Sequence, residues 1–230
     1  MNRTLRIALN TSPRQHQQLR QLQQAFAAVC NALAPLVRET RCWNRVALHH
    51  MAYKQLRERF PELGSQMVCN AIYSVSRASR HVYQHPDSLF NLARLGDRPL
   101  PRLQFVPTAP VYFDRHTLSI KAGQVSMYTL DGRIRFELGL NDHDEQRFRN
   151  ERLREIVLTS SDKDFFLAFH FSEGAEAEDA DDSAQSNSTT STTSAASAVS
   201  GDLPEYVLAI DDAQMPGPTA HPTAQAVQLT

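Results

Sequence analysis

The sequence predicts an α+β fold in which a helical bundle is inserted into a small antiparallel β-barrel or sheet. Three observations carry that expectation. Apolar residues recur at helical spacing from Ser12 to about Pro86. From Val111 onward the periodicity switches to two. One strand-like stretch, RTLRIALN at residues 3–10, stands alone before the helices. A lone strand of that length needs a sheet to join, so it is expected to complete the sheet of the later strands from outside. The expected division is residues 1–11 and 103–172 for the β-barrel, 12–86 for the helical domain, and 87–102 for a connecting loop. Residues 173–202 read as a disordered acidic linker, and 203–230 as one orphan strand with an unstructured tail.

Each element has its own signal. Leu5, Ile7 and Leu9 share one face of the first strand. Ser12 caps the first helix and Pro13 fits its first position, where a missing N–H costs nothing. Leu19, Leu22, Phe26, Val29, Leu33 and Leu36 then recur three and four apart, and Pro35 is expected to kink or end the helix. A second helix is expected from Asn44 to Phe60, with Val46, His49 or His50, Tyr53, Leu56 and Phe60 facing inward. A third opens at Gly64-Ser65, buries Met67, Ala71, Ile72, Val75, Ala78 and Val82, and stops before Pro86. Pro99, Pro101, Pro107 and Pro110 then interrupt the chain. Short strands follow at 111–113, 118–120, 125–129 and 134–138, the last two joined by an Asp131-Gly132 hairpin signal. The polar stretch NDHDEQRFRNERLRE reads as a short helix, and Ile156–Leu158 and Phe165–Phe171 as a hairpin, giving five or six strands in all.

Charge is divided along the chain. All 24 Lys and Arg precede residue 173, where they face 15 acidic residues; beyond it there are 10 acidic residues and no basic one. Arg outnumbers Lys 21 to 3, and a planar guanidinium suits bidentate phosphate contact better than an ammonium. Two readings of that preference are open, nucleic-acid binding and the codon bias of a GC-rich genome. No apolar run approaches the roughly 20 residues that span a bilayer, and MNRTLRIALNTS lacks a secretory core, so no membrane partner is expected. Cys30, Cys42 and Cys69 form no CxxC pair, which argues for a reducing cytoplasmic location and leaves the sequons at Asn2 and Asn187 without meaning.

Arg38, Arg41, Arg45, Lys54, Arg57 and Arg59 crowd the junction of the first two helices beside Trp43 and Tyr53. Asn70, Arg77 and Arg80, with His81 and Gln84, share a polar face of the third helix. Cations interleaved with aromatics neutralise phosphates while rings stack on bases. The plainer alternative for any one of them is a solvated helix face or a core ring. Adjacent His49 and His50 point to different helix faces and no finger spacing recurs, so no metal site is expected. No phosphate-cradling glycine loop, GxSxG or HExxH occurs.

The segment LHHMAYKQLRERFPELGSQMVCNAIYSVSRASRHVY resembles the N-terminal half of TnpB/OrfB proteins, transposon-encoded RNA-guided nucleases related to type V CRISPR effectors. Tyr53, Leu56, Arg57, Phe60, Leu63, Ser65, Gln66, Met67, Ala71, Ile72, Val75 and Ala78 carry the likeness. VYFDRHTLSIKAGQVSMYTLDGRIRFELGL and FFLAFHFS add to it, so that it covers nearly all of residues 3–172 and, more weakly, 205–211. The resemblance implies a wedge-like β-barrel with an inserted recognition domain, gripping guide RNA and its DNA heteroduplex through backbone and shape. It also places Asp211, at the end of VLAID, on the first metal-binding Asp of a RuvC-like nuclease domain, with Ala209 and Ala213 departing from that motif's glycines. The family's later Glu, second Asp and zinc knuckle have no counterpart in these 230 residues, so Asp211 reads as vestigial. The Mg²⁺ of the intact family is accordingly not expected as a cofactor. The expectation is a nucleic-acid-binding, truncated transposase fragment without nuclease activity of its own, whose partners are structured RNA, DNA, and a separate polypeptide carrying the nuclease half. The alternative is a helical interaction module whose basic surface docks an acidic protein.

Overall fold

A capping box starts the first helix: the Ser12 hydroxyl accepts the Gln15 N–H at 3.3 Å, and the Gln15 side chain accepts the Ser12 N–H at 2.9 Å. A computed structural model of the chain describes residues 2–172 and 204–210. The predicted linker at 173–202, Asp211 and the tail beyond it lie outside the described residues. In the described part, β1 (Asn2–Leu9) leads into α1 (Pro13–Thr40), α2 (Arg45–Arg59) and α3 (Ser65–Gln84). Then follow α4 (Leu92–Leu95), β2 (Arg102–Phe105), β3 (Val111–Phe113), β4 (Leu118–Lys121), β5 (Gln124–Thr129) and β6 (Gly132–Glu137). The chain continues through α5 (Asp142–Asn150), β7 (Arg152–Ser160) and β8 (Phe165–Ser172) to β9 (Val207–Ile210).

The α1 stripe buries Leu19, Leu22, Phe26, Val29 and Leu33 as the spacing predicts. Its last contact is Val37, with Leu36 only half-buried. Pro35 does not end α1, which runs on to Thr40. One missing N–H is outweighed by the burial of Leu33, Ala34 and Val37 around it. α2 has the predicted Asn44 cap but a different inner face. Leu48, Ala52 and Leu56 are buried four apart, whereas Val46 and Met51 are 46% and 40% exposed. The inner face of a short, polar helix is decided by what it packs on, here α3 and α1, and not by its largest residues. α3 buries side chains nearly all round and is the central helix.

β8 is the spine of the largest sheet, ordered β1-β8-β7-β3 and antiparallel throughout. The first strand joins it as expected, from Asn2 opposite Ser172 to Leu9 opposite Phe165. β4, β5 and β6 form a meander, and β2 pairs with β9. The β4–β5 turn is Ala122-Gly123, both left-handed at φ 49° and 72°, which glycine adopts freely and alanine does not. The strands among the described residues thus form three antiparallel sheets and not one closed barrel. Prolines explain part of the separation: Pro107 and Pro110 sit between β2 and β3 and cannot donate to a ladder.

Three further expectations are corrected. The stretch at 152–155 opens β7 and does not continue α5. The connecting loop at 87–102 contains the single turn α4 and the first residue of β2. The strand expected to be an orphan is paired, with Arg102 opposite Ile210 and Phe105 opposite Val207. The opposite side of β2 is held by α1, because Asn31 Nδ2 donates to the Phe105 carbonyl at 2.9 Å and Asn31 Oδ1 accepts the Phe105 N–H at 2.7 Å. Asn31→Ala leaves both backbone groups unpaired, and the expected cost is ~2–4 kcal/mol in urea unfolding. Asn31→Asp, which keeps only the acceptor, should fall between the two. No helix among the described residues is long and apolar enough to cross a membrane.

Candidate nucleic-acid interface

The predicted basic residues divide between the two ends of α2, which are ~21 Å apart at 1.5 Å per residue. At the N-terminal end, Arg41 caps α1 in the left-handed conformation and its Nη2 donates to the Arg98 carbonyl at 3.3 Å. Arg98 in turn donates to the carbonyls of Arg94 and Leu95 at 3.1 and 3.3 Å, and Arg94 to that of Asp87 at 3.5 Å. Arg41 at the end of α1 thus reaches the segment that follows α4, where Arg98 folds back along α4 and Arg94 reaches back to the chain before it. Among the described residues their hydrogen-bond partners are backbone carbonyls and no carboxylate pairs with them. Such bonds orient each fork without neutralising its charge. Arg38, in the last turn of α1, lies close enough to Tyr83 for its charge to act on that hydroxyl.

Further basic residues lie on α2 and α3. The exposed Arg45 lies 5.5 Å from the centre of the Tyr73 ring. Tyr73 donates to Glu155 at 2.8 Å, and Arg77 reaches Glu155 at 2.5 Å and the Tyr73 hydroxyl at 3.2 Å. Burial first, then the Glu155 carboxylate, pushes the Tyr73 hydroxyl up from its ordinary value. Arg77 is thus placed by a carboxylate, unlike Arg41, Arg94 and Arg98. Arg80 is exposed one turn further along α3.

Two predicted members belong to the core. Trp43 is 5% exposed, packs 5.5 Å from Tyr83 and accepts the Ser76 hydroxyl on its carbonyl, so its ring is closed to a base. Asn70 is 8% exposed and donates to the Tyr112 carbonyl at 3.1 Å, fixing α3 to β3. At the far end of α2, Arg57 is spent locally on the Leu63 carbonyl in the turn to α3. Arg59 and Lys54 are exposed there, and Tyr53 is half-buried and stacked on His49. Arg94 and Arg98 escape sequence reading because they lie in the predicted loop, and only the reach of Arg41 brings them to α1.

His170 lies beside the Arg77–Glu155 pair on the same sheet face, 2.9 Å from the Thr4 hydroxyl. Burial lowers its basicity below the usual 6.5, Glu155 pulling it up and Arg77 pushing it down again. The unfolded chain therefore takes up this proton first. The stability His170 contributes is present above pH 6.5 and is lost as the pH falls through its lower folded value. Urea midpoints at pH 7.5 and 5.5 are expected to differ less for His170→Asn than for the parent chain.

Among the described residues no three His, Cys, Asp or Glu side chains converge as metal ligands. Asp211, which the resemblance places on a metal-binding Asp, lies outside the described residues, and no metal step enters the function argued below. Fold and site together define an α+β protein whose described strands form three antiparallel sheets, with Arg41 at the end of α1 reaching the segment that follows α4. No protein-family model matches the chain, and no curated protein matches it.

Proposed function

We propose that the chain binds structured RNA, and DNA paired to it, by the phosphate backbone along the band Arg41, Arg45, Arg94 and Arg98. One observation carries the reading: among the described residues the guanidinium groups of Arg41, Arg94 and Arg98 are oriented by backbone carbonyls, and no carboxylate pairs with them. An oriented, unquenched guanidinium offers two parallel N–H donors to a phosphate. On this reading the three sheets correspond to the wedge-like barrel of TnpB/OrfB-like proteins, and α1–α3 to their inserted recognition domain. The test is a gel shift with a structured RNA across a salt series. Affinity should fall linearly in log–log form with a slope of about −0.7 to −0.9 for each phosphate neutralised. Absence of binding at low ionic strength removes the proposal. The exposed Val46 and Met51 on α2 favour a second reading, a protein partner docked on that helix. A Val46→Ser/Met51→Ser variant with unchanged RNA affinity would separate that surface from the arginine band.

A further inference from the structure

We propose that the edge of β2 which β9 covers is a strand-acceptor site, and that two copies of the chain exchange β9 through it. Elements other than β9 position much of the acceptor. Asn31 holds both backbone groups of Phe105 from the α1 side, and Leu103 and Phe105 are buried in the core. β9 joins no other sheet, so the sheets β1-β8-β7-β3 and β4-β5-β6 are complete in its absence.

What holds β9 is a short, self-contained set of contacts. Four residues pair in register, and the Val106 N–H donates to the Tyr206 carbonyl at 3.1 Å. Val207 is 2% exposed and fills the core beneath the pair. The Tyr206 and Tyr112 side chains lie close enough for their hydroxyls to act on each other, which brings the start of the strand to β3. Each of these contacts is made equally well by the same residues of a second copy.

Chain connection does not choose between the two. About 30 residues join Ser172 to Pro204, a contour of up to roughly 100 Å at ~3.3 Å per residue. A compact body of this size has a radius of gyration of only about 16 Å. Whatever path the connection takes, it is long enough for β9 to reach its own β2 or a neighbour's. Exchange of an identical element replaces each contact by its equal, so concentration decides. A tethered strand competes at an effective concentration on the millimolar order, and exchange is expected as the protein nears it.

The register supplies the test, independently of any nucleic-acid binding. Gln104 and Leu208 are opposite one another and both exposed. Full-length chains carrying Gln104→Cys are mixed with chains carrying Leu208→Cys, both in a Cys42→Ala/Cys69→Ala background. The mixture is held at ~1 mM, diluted and oxidised. Exchange predicts that disulfide dimers joining the two kinds of chain greatly exceed the half share that random collision yields. Dimers at the random proportion, or none, would overturn the proposal. The Gln104→Cys/Leu208→Cys double variant should close an internal disulfide when dilute; if it does not, β9 is not on β2 in solution and the proposal fails as well.

Discussion

Replacing Phe169 by alanine is expected to cost ~3–5 kcal/mol, the largest loss from any single truncation in the sheet. Phe169 sits midway along β8, the one strand among the described residues flanked on both sides over its whole length, opposite Leu5 of β1 and Ile156 of β7. Its ring is fully buried and meets Phe148 of α5 edge-on, with centroids 5.1 Å apart. Truncation empties a site walled by three strands and a helix, and walls held by backbone ladders collapse little into the space. Whole domains are stable by only about 5–15 kcal/mol, so urea unfolding should show a large fall in midpoint. Phe166 is the control. It is half-exposed on the opposite face beneath Arg6, whose guanidinium lies 3.9 Å from the ring centre. Phe166→Ala should cost about 1 kcal/mol, that of a surface cation–π pair with some burial. Equal losses for the two variants would mean that the faces of β8 are assigned the wrong way round.

The second large effect concerns binding. Arg41→Gln/Arg98→Gln is expected to weaken RNA binding about tenfold at moderate salt and to lower the salt slope by about 1.4–1.8, the share of two phosphate contacts. Both residues are exposed or at the surface and bond only to carbonyls among the described residues, so the fold should survive, which circular dichroism checks. Lys54→Gln/Arg59→Gln, at the other end of α2, should leave the slope nearly unchanged. An unaltered slope in the first variant, or an equal drop in both, would show that the charge acts diffusely and that no band exists.

Local signals told most of the fold, and failed where distant partners decided it. Ser12, Pro13 and a stripe of six apolar residues specify α1 without help from elsewhere, and the β5–β6 hairpin is likewise written in adjacent residues. The inner face of α2 was misread because Leu48, Ala52 and Leu56 are outnumbered by larger apolar side chains that lie outward or at the boundary. β2 has four residues between prolines, and nothing in RLQF announces that residues 207–210 will pair with it. The site followed the same rule. Arginine enrichment was visible, but Trp43 and Asn70 are removed from it by packing, and Arg94 and Arg98 are added by a contact spanning 57 positions.

The pairing of β1 with β8 also sets an order of events during synthesis. Thr4 and His170 face each other across 166 positions. At a translation rate of ~5–20 residues per second, β1 waits roughly 8–33 s for its partner strand to be made. The helices from α1 to α3 contact one another and leave the ribosome early in that interval. The first strand to leave the ribosome is thus among the last to be joined, and for those seconds its apolar face is open to chaperones and to neighbouring nascent chains.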